Sequence, residues 1–194
     1  MGGRTWTLLK PAEVVLTSAT DPDAIPFWMD LWDSSLLLAE YLWERRGVLP
    51  PSILDLGCGL GLAGLVAAEA GAWAVATDLF PEALEFARLN GLRHGVDLPC
   101  FACDWRRFAL RRRFDLVVGA DLLYEPTLHD ALESVLLSAL APGGRAVLAC
   151  PSRRYGLQFA AELEAKGWGV KVDCLARAGA SEVALYEAVP PTDL

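Results

Sequence analysis

The stretch Ser52-Ile53-Leu54-Asp55-Leu56-Gly57-Cys58-Gly59-Leu60-Gly61-Leu62-Ala63-Gly64 decides the fold. Its first residues form a short apolar run of strand type and its last open an alanine-rich helix, with glycines between them that permit a tight strand-to-helix turn. Lacking a Cβ, such a turn also lets a ligand approach the backbone. The implied occupant is a cofactor that contains a nucleoside. The next apolar run, Ala74-Val75-Ala76-Thr77, ends in Asp78, where an acid can accept hydrogen bonds from both ribose hydroxyls. Loop and acid together are far more specific than the loop alone.

Outward from this centre, strands are expected at 52–56, 73–77, 98–103, 114–119, 144–150, 169–175 and 182–188, and helices at 34–46, 61–71, 81–93, 127–140 and 154–166. Alternation of this kind implies right-handed crossovers and a parallel sheet. Only Ala176 to Ser181 separates the last two strands, too short a link for a crossover helix, so they should pair antiparallel. The expected fold is α/β: a Rossmann-like, seven-stranded, mostly parallel sheet with an antiparallel last strand and helices on both faces. In the first helix Leu37, Leu38, Tyr41 and Leu42 share a stripe, with Ser34 as cap and Gly47 and Pro50 beyond the end. In the last helix the apolar face is expected at Leu157, Ala160, Ala161 and Leu163. Residues 1–33 read as an N-terminal flap, with a β-hairpin over 5–27 around Lys10-Pro11, and 34–194 as the main domain, the whole forming one compact unit.

Composition agrees. A chain of 194 residues with 54% hydrophobic content and mean hydropathy of +0.31 suits a sheet buried on both faces. No apolar run reaches the roughly 18 to 20 residues of a membrane span, and Met1-Gly2-Gly3-Arg4-Thr5-Trp6 lacks the pattern of a signal peptide. Cys58, Cys100, Cys103, Cys150 and Cys174 are odd in number and scattered, unlike a disulfide framework, so a reducing cytoplasm is the expected setting. A net charge of −8 argues against nucleic acid and favours basic partners.

Several signals carry less. Gly59-x-Gly61-x-x-Gly64 formally satisfies the nicotinamide dinucleotide fingerprint. Asp55, however, puts negative charge where a pyrophosphate would sit and where a ligand ammonium or sulfonium is welcome. Cys100-x-x-Cys103 lies on an expected strand with no second ligand pair, so no metal site is expected. His94 and His129 read as surface or helix-end residues, and Arg106, Arg107, Arg111, Arg112 and Arg113 as a solvated loop.

Asp55 to Gly61, Asp78, and Asp104 after the third strand resemble the cofactor motifs of the seven-strand (class I) S-adenosylmethionine-dependent methyltransferases. The resemblance runs over about residues 25–188. Three further features, Pro26-Phe27-Trp28-Met29-Asp30-Leu31-Trp32, Asp104-Trp105 and Asp121-x-x-Tyr124, are similar to the branch of small protein-lysine methyltransferases that modify chaperones, elongation factors and the electron-transfer flavoprotein β subunit. The resemblance implies a methyltransferase that acts on a protein lysine with S-adenosylmethionine as donor. It assigns the cofactor to Trp32, Asp55, Gly57, Cys58, Gly59, Gly61, Asp78, Leu79, Asp104, Trp105 and Ala120, and the lysine channel to Asp121 and Tyr124 as catalytic residues. Simpler roles stand beside these: Trp105 as core, Trp28 and Trp32 as packing for the flap, Asp121 as a helix cap. A small-molecule acceptor and a non-catalytic cofactor-binding module also stay open. In that family the segment after strand five, here Cys150-Pro151-Ser152-Arg153-Arg154, faces the substrate.

Overall fold

β1 (Ser52–Leu56) is buried at every position, as a strand covered on both faces must be. The computed structural model describes residues 4–12, 26–151, 154–175 and 182–192. The other strands are β2 (Trp73–Asp78), β3 (Cys100–Ala102), β4 (Phe114–Ala120), β5 (Leu140–Pro151), β6 (Gly169–Leu175) and β7 (Val183–Val189), in the spatial order β3-β2-β1-β4-β5-β7-β6. Pairings from β3 to β5 are parallel, and β7 runs antiparallel to both β5 and β6. The expected antiparallel ending is present, with β7 seated between its two neighbours.

Among the described residues five helices cover the sheet: α1 (Asp33–Glu44), α2 (Leu62–Glu69), α3 (Pro81–Arg93), α4 (His129–Ala139) and α5 (Arg154–Ala165). The two-residue period of the strands sorts the core. Ile53, Ala74, Ala76, Leu116 and Val118 pack with α1 and α2 on one face, while Leu54, Leu56, Val75 and Val117 pack with α4 and α5 on the other.

The structure corrects several details. Ser34 is not the cap of α1: Trp32 holds that position without a side-chain cap bond, and Ser34 is buried inside the first turn. The buried face of α5 is Gly156, Phe159, Ala160 and Leu163, with Leu157 and Ala161 in solvent. The helix turns this way because Gly156 lies against β7, where a Cβ would stand 2.5 Å from the Tyr186 hydroxyl oxygen. β3 is shorter than expected, because Pro99 has no N–H for the ladder, although its carbonyl still accepts from the Ala76 N–H at 2.8 Å. β5 is longer, pairing Leu140 with Phe114 before a register shift and then Arg145 with Leu116.

The first arm of the expected N-terminal hairpin is not a strand, and its second arm falls on residues 13–25, outside the described residues. Residues 4–12 form a strap whose polar groups are met by helix side chains instead of a neighbouring strand. The Glu69 carboxylate accepts from the Arg4 guanidinium at 2.8 Å and from the Trp6 indole at 2.9 Å, and His94 lies 3.5 Å from it. Leu9 exchanges two hydrogen bonds with the side chain of Asn90. Both histidines stand at helix ends, as expected. His129, however, is buried, with its Nδ1 2.8 Å from Glu162.

Candidate functional site

A cleft of about 1170 Å³, counted to its open mouth, lies where β1, β2 and β4 end, the usual ligand position in open α/β sheets. Trp32, Asp55, Gly57, Cys58, Gly59, Asp78, Leu79, Asp104, Trp105, Ala120, Asp121 and Tyr124 line it, and Gly61 does not. Gly61 serves packing: its φ is +80°, and a Cβ there would stand 2.6 Å from the Ala87 Cβ and 2.8 Å from the Ala87 Cα. Its bareness therefore lets the start of α2 touch the backbone of α3.

The loop is held by its own bonds. The Cys58 N–H donates to the Thr77 carbonyl and the Gly61 N–H to the Cys58 carbonyl, each at 2.8 Å. Asp55 accepts the Gly64 N–H at 2.8 Å, which ties the end of β1 to the first turn of α2. Burial raises its carboxyl to about 7, with the Gly64 bond partly opposing. Asp78 accepts from the Gly59 N–H at 2.9 Å and the Phe80 N–H at 3.0 Å, and burial raises it too, against those bonds. Burial also pushes the Cys58 thiol well up. Two buried acids at the cleft floor repel a pyrophosphate and suit a cationic ligand with a ribose diol, the combination S-adenosylmethionine carries.

Asp104 stands on the wall with its carboxylate already engaged. It accepts from the Arg106 N–H at 3.0 Å and the Arg106 guanidinium at 2.9 Å, which hold it below the usual carboxylate range. Trp105 is half-buried against the core and also stands on the cleft wall. Asp121 has φ +57°, an uncommon backbone state for a residue with a Cβ. Its N–H donates to the Ala149 carbonyl at 2.8 Å. Asp121 is no cap: Glu125 caps the 3-10 turn Pro126–Leu128 that precedes α4, accepting from the Thr127 N–H.

Tyr124 is at the mouth, its ring 6.0 Å from that of Phe27, and Phe27 lies 6.3 Å from Trp32. The Trp32 indole donates to the Phe27 carbonyl at 2.9 Å. Phe27, Trp28, Leu31, Phe80, Cys103, Arg106 and Leu122 also line the cleft, beyond the site residues expected from the sequence. Phe27, Trp28 and Leu31 sit inside the motif that runs from Pro26 to Trp32. Phe80 and Arg106 stand two residues beyond Asp78 and Asp104, and that proximity was the available signal. The basic run 106–113 lies at the surface, with Arg112 stacked 3.8 Å over the Trp73 ring. Of the segment after β5, Ser152 and Arg153 fall outside the described residues. Among the described residues no His, Cys, Asp or Glu cluster suits a metal, and no helix is long and apolar enough to cross a membrane.

Residues 53–144 match the family model of the methyltransferase domain. The glycopeptide N-methyltransferase MtfA, solved with S-adenosyl-L-methionine, superposes with a TM-score of 0.69 at 20% identity, over 90% of this chain and 100% of that one. Over the matched segment the chain is similar to methyltransferase domains, and its fold is the one that MtfA has. Among curated relatives, the chain is 35% identical over 117 residues to the histone-arginine methyltransferase METTL23 of Homo sapiens, covering 55% of this chain and 61% of that protein. It is 39% identical over 152 residues to the ribosomal protein L11 methyltransferase of Azotobacter vinelandii, covering 76% and 50%. Identity is 34% over 116 residues to the protein N-lysine methyltransferase METTL21A of Xenopus tropicalis, covering 55% and 53%. The chain thus spans between half and 61% of the length of these relatives.

Proposed function

We propose that the chain transfers a methyl group from S-adenosylmethionine to a protein side chain, with lysine as the acceptor. The observation that carries this is Asp121, held at the end of β4 in the left-handed conformation with its side chain on the cleft wall. Uncommon backbone states of this kind collect at functional sites. S-adenosylmethionine supplies a methyl group on a sulfonium, open to in-line displacement. The chain has to hold that donor, orient a neutral amine and exclude water.

Asp78 is proposed to take the ribose diol, Trp105 and Asp104 the adenine, and Asp55, Gly57, Cys58, Gly59 and Ala120 the methionine side, with Trp32 and Leu79 closing over it. For Asp104 the adenine role requires Arg106 to share the carboxylate. Gly61 supports the loop from behind. Asp121 and the Tyr124 hydroxyl would orient the amine while water carries its proton away, since a lysine of ordinary pKa near about 10.4 enters protonated. Among the described residues Arg106 is the one basic residue lining the cleft, against Asp30, Asp55, Asp78, Asp104 and Asp121, a balance that favours a cationic acceptor. Around the mouth Phe27, Leu31, Trp32, Leu79 and Tyr124 are all about 40% exposed, an apolar rim suited to the residues that flank an acceptor in a polypeptide.

Incubation with methyl-labelled S-adenosylmethionine and a lysate from cells lacking the gene tests the reading. Label on one protein band, recovered as methyl-lysine after hydrolysis, supports it; methyl-arginine would move the acceptor. Label confined to small molecules would overturn a protein substrate. Binding without any transfer would make the chain a non-catalytic module. Asp121→Ala should abolish transfer while cofactor affinity stays within about twofold, since its proposed contacts are to the acceptor. An equal loss of affinity would reassign Asp121 to the cofactor.

A further inference from the structure

We propose that Asn90 is a positioning residue for the glycine loop, and that through it the N-terminal strap becomes part of the cofactor site; this rests on reading the cleft as that site. Asn90 sits in α3 with no exposed surface. Its Nδ2 donates to the Leu60 carbonyl at 3.0 Å and to the Leu9 carbonyl at 3.1 Å, and its Oδ1 accepts the Leu9 N–H at 2.6 Å. A primary amide has two N–H donors and an oxygen, and all three are in use. One edge pairs with Leu9 as a neighbouring strand would. The remaining hydrogen holds the loop.

The Leu60 carbonyl and the Gly61 N–H belong to one peptide unit. Its N–H end is fixed by the Cys58 carbonyl at 2.8 Å, and its carbonyl end is fixed by Asn90. Gly61, at φ +80°, is one of the two hinges of that unit, so on that side no Cβ limits a pivot. The side-chain bond supplies a constraint that this glycine removes. Leu60 lines the cleft, and the N–H of adjacent Gly59 holds the Asp78 carboxylate, so a pivot would disturb the ribose acid. On the other side, undocking the strap would leave the Leu9-facing edge of a buried amide without partners, which is costly. Strap and loop are therefore ordered together, with Glu69 anchoring the strap's outer end through Arg4 and Trp6.

Calorimetric titration with S-adenosylhomocysteine, well below the melting temperature, and hydrogen exchange at the Gly61 amide in ligand-free protein test this. Asn90→Asp keeps the acceptor for the Leu9 N–H and loses the donors to both the Leu60 and the Leu9 carbonyls. Leu9→Pro removes the strap's N–H and leaves the Leu60 bond in place. Lys166→Met, which breaks the ion pairs of α4 with the residue that follows α5, serves as the stability control. Affinity should fall about tenfold in Asn90→Asp and about threefold in Leu9→Pro, the range that one net hydrogen bond spans. Gly61 exchange should quicken in both. Lys166→Met should change neither, however far its melting temperature falls. Lower melting temperatures with wild-type affinity and wild-type Gly61 exchange would overturn the proposal. Should Asn90→Asp fail to fold, Leu9→Pro decides. Should wild-type protein bind no S-adenosylhomocysteine, the cofactor reading falls, and Gly61 exchange still decides the role of Asn90.

Discussion

At the scale of single residues, Asp55 and Asp78 make the cleft floor sensitive to pH. Burial raises the Asp55 carboxyl to about 7, above the value of about 3.9 it has in an unfolded chain. The folded state therefore binds the proton more tightly. Asp55's contribution to stability is complete below about pH 4 and is lost as pH rises toward 7. Asp78 adds to the same slope, its carboxyl being raised as well. Asp55→Asn should thus lose less melting temperature than wild type between about pH 5 and about pH 8, as thermal scans would show. A cationic ligand beside Asp55 favours its carboxylate. Binding near pH 6.5 should then expel a proton, seen as a binding enthalpy that depends on the buffer, and Asp55→Asn should abolish that dependence.

At the scale of elements, the contact between α2 and α3 turns on Gly61. Gly61→Ala brings a Cβ within 2.8 Å of backbone at Ala87, where no side chain can yield. The variant should lose about 2–3 kcal/mol in urea unfolding. Adding Ala87→Gly should restore only part of this, because the Cα remains in the way. The strands were legible because each is a short, continuous apolar run between turn residues, and β6 and β7 were legible as a hairpin because their link is too short for a helix. The buried face of α5 was misread because Leu157 looks like core, whereas the deciding residue is Gly156, whose value lies in what it lacks. The strap was illegible for a different reason: its partners are the side chains of Glu69 and Asn90, and such bonds leave no periodicity in either segment. In the site, the acids and glycines announced themselves by type and spacing, while Leu128 is an ordinary apolar residue that only the fold brings to the cleft.

At the scale of the molecule, charge sets the terms of encounter. A chain of net charge −8 with a carboxylate-lined cleft should attract a basic acceptor over distances that salt screens. The kcat/KM for a basic protein substrate should fall several-fold between about 50 mM and about 500 mM salt, mainly in KM, while S-adenosylhomocysteine affinity, set inside the cleft, changes less. Steady-state rates across a salt series would check this. On the far side of the sheet, Lys166 joins Asp130 at 2.9 Å and also Glu133, which the Trp168 indole reaches at 3.2 Å. These carboxylates raise the Lys166 amine. Because Lys166 is half exposed, Lys166→Met should cost only about 1 kcal/mol in denaturant unfolding.

β7 comes last among the strands in sequence yet lies inside the sheet, between β5 and β6. While the chain is being made, β5 has only β4 beside it until Val183–Val189 leave the ribosome, and its other edge is open to chaperones and to stray strands. β6 meanwhile has no sheet neighbour. A hairpin forms within microseconds, so the wait is set by translation rather than by folding. On stalled ribosomes, protease resistance should therefore rise in one step as β7 clears the exit tunnel, long after the glycine loop has emerged.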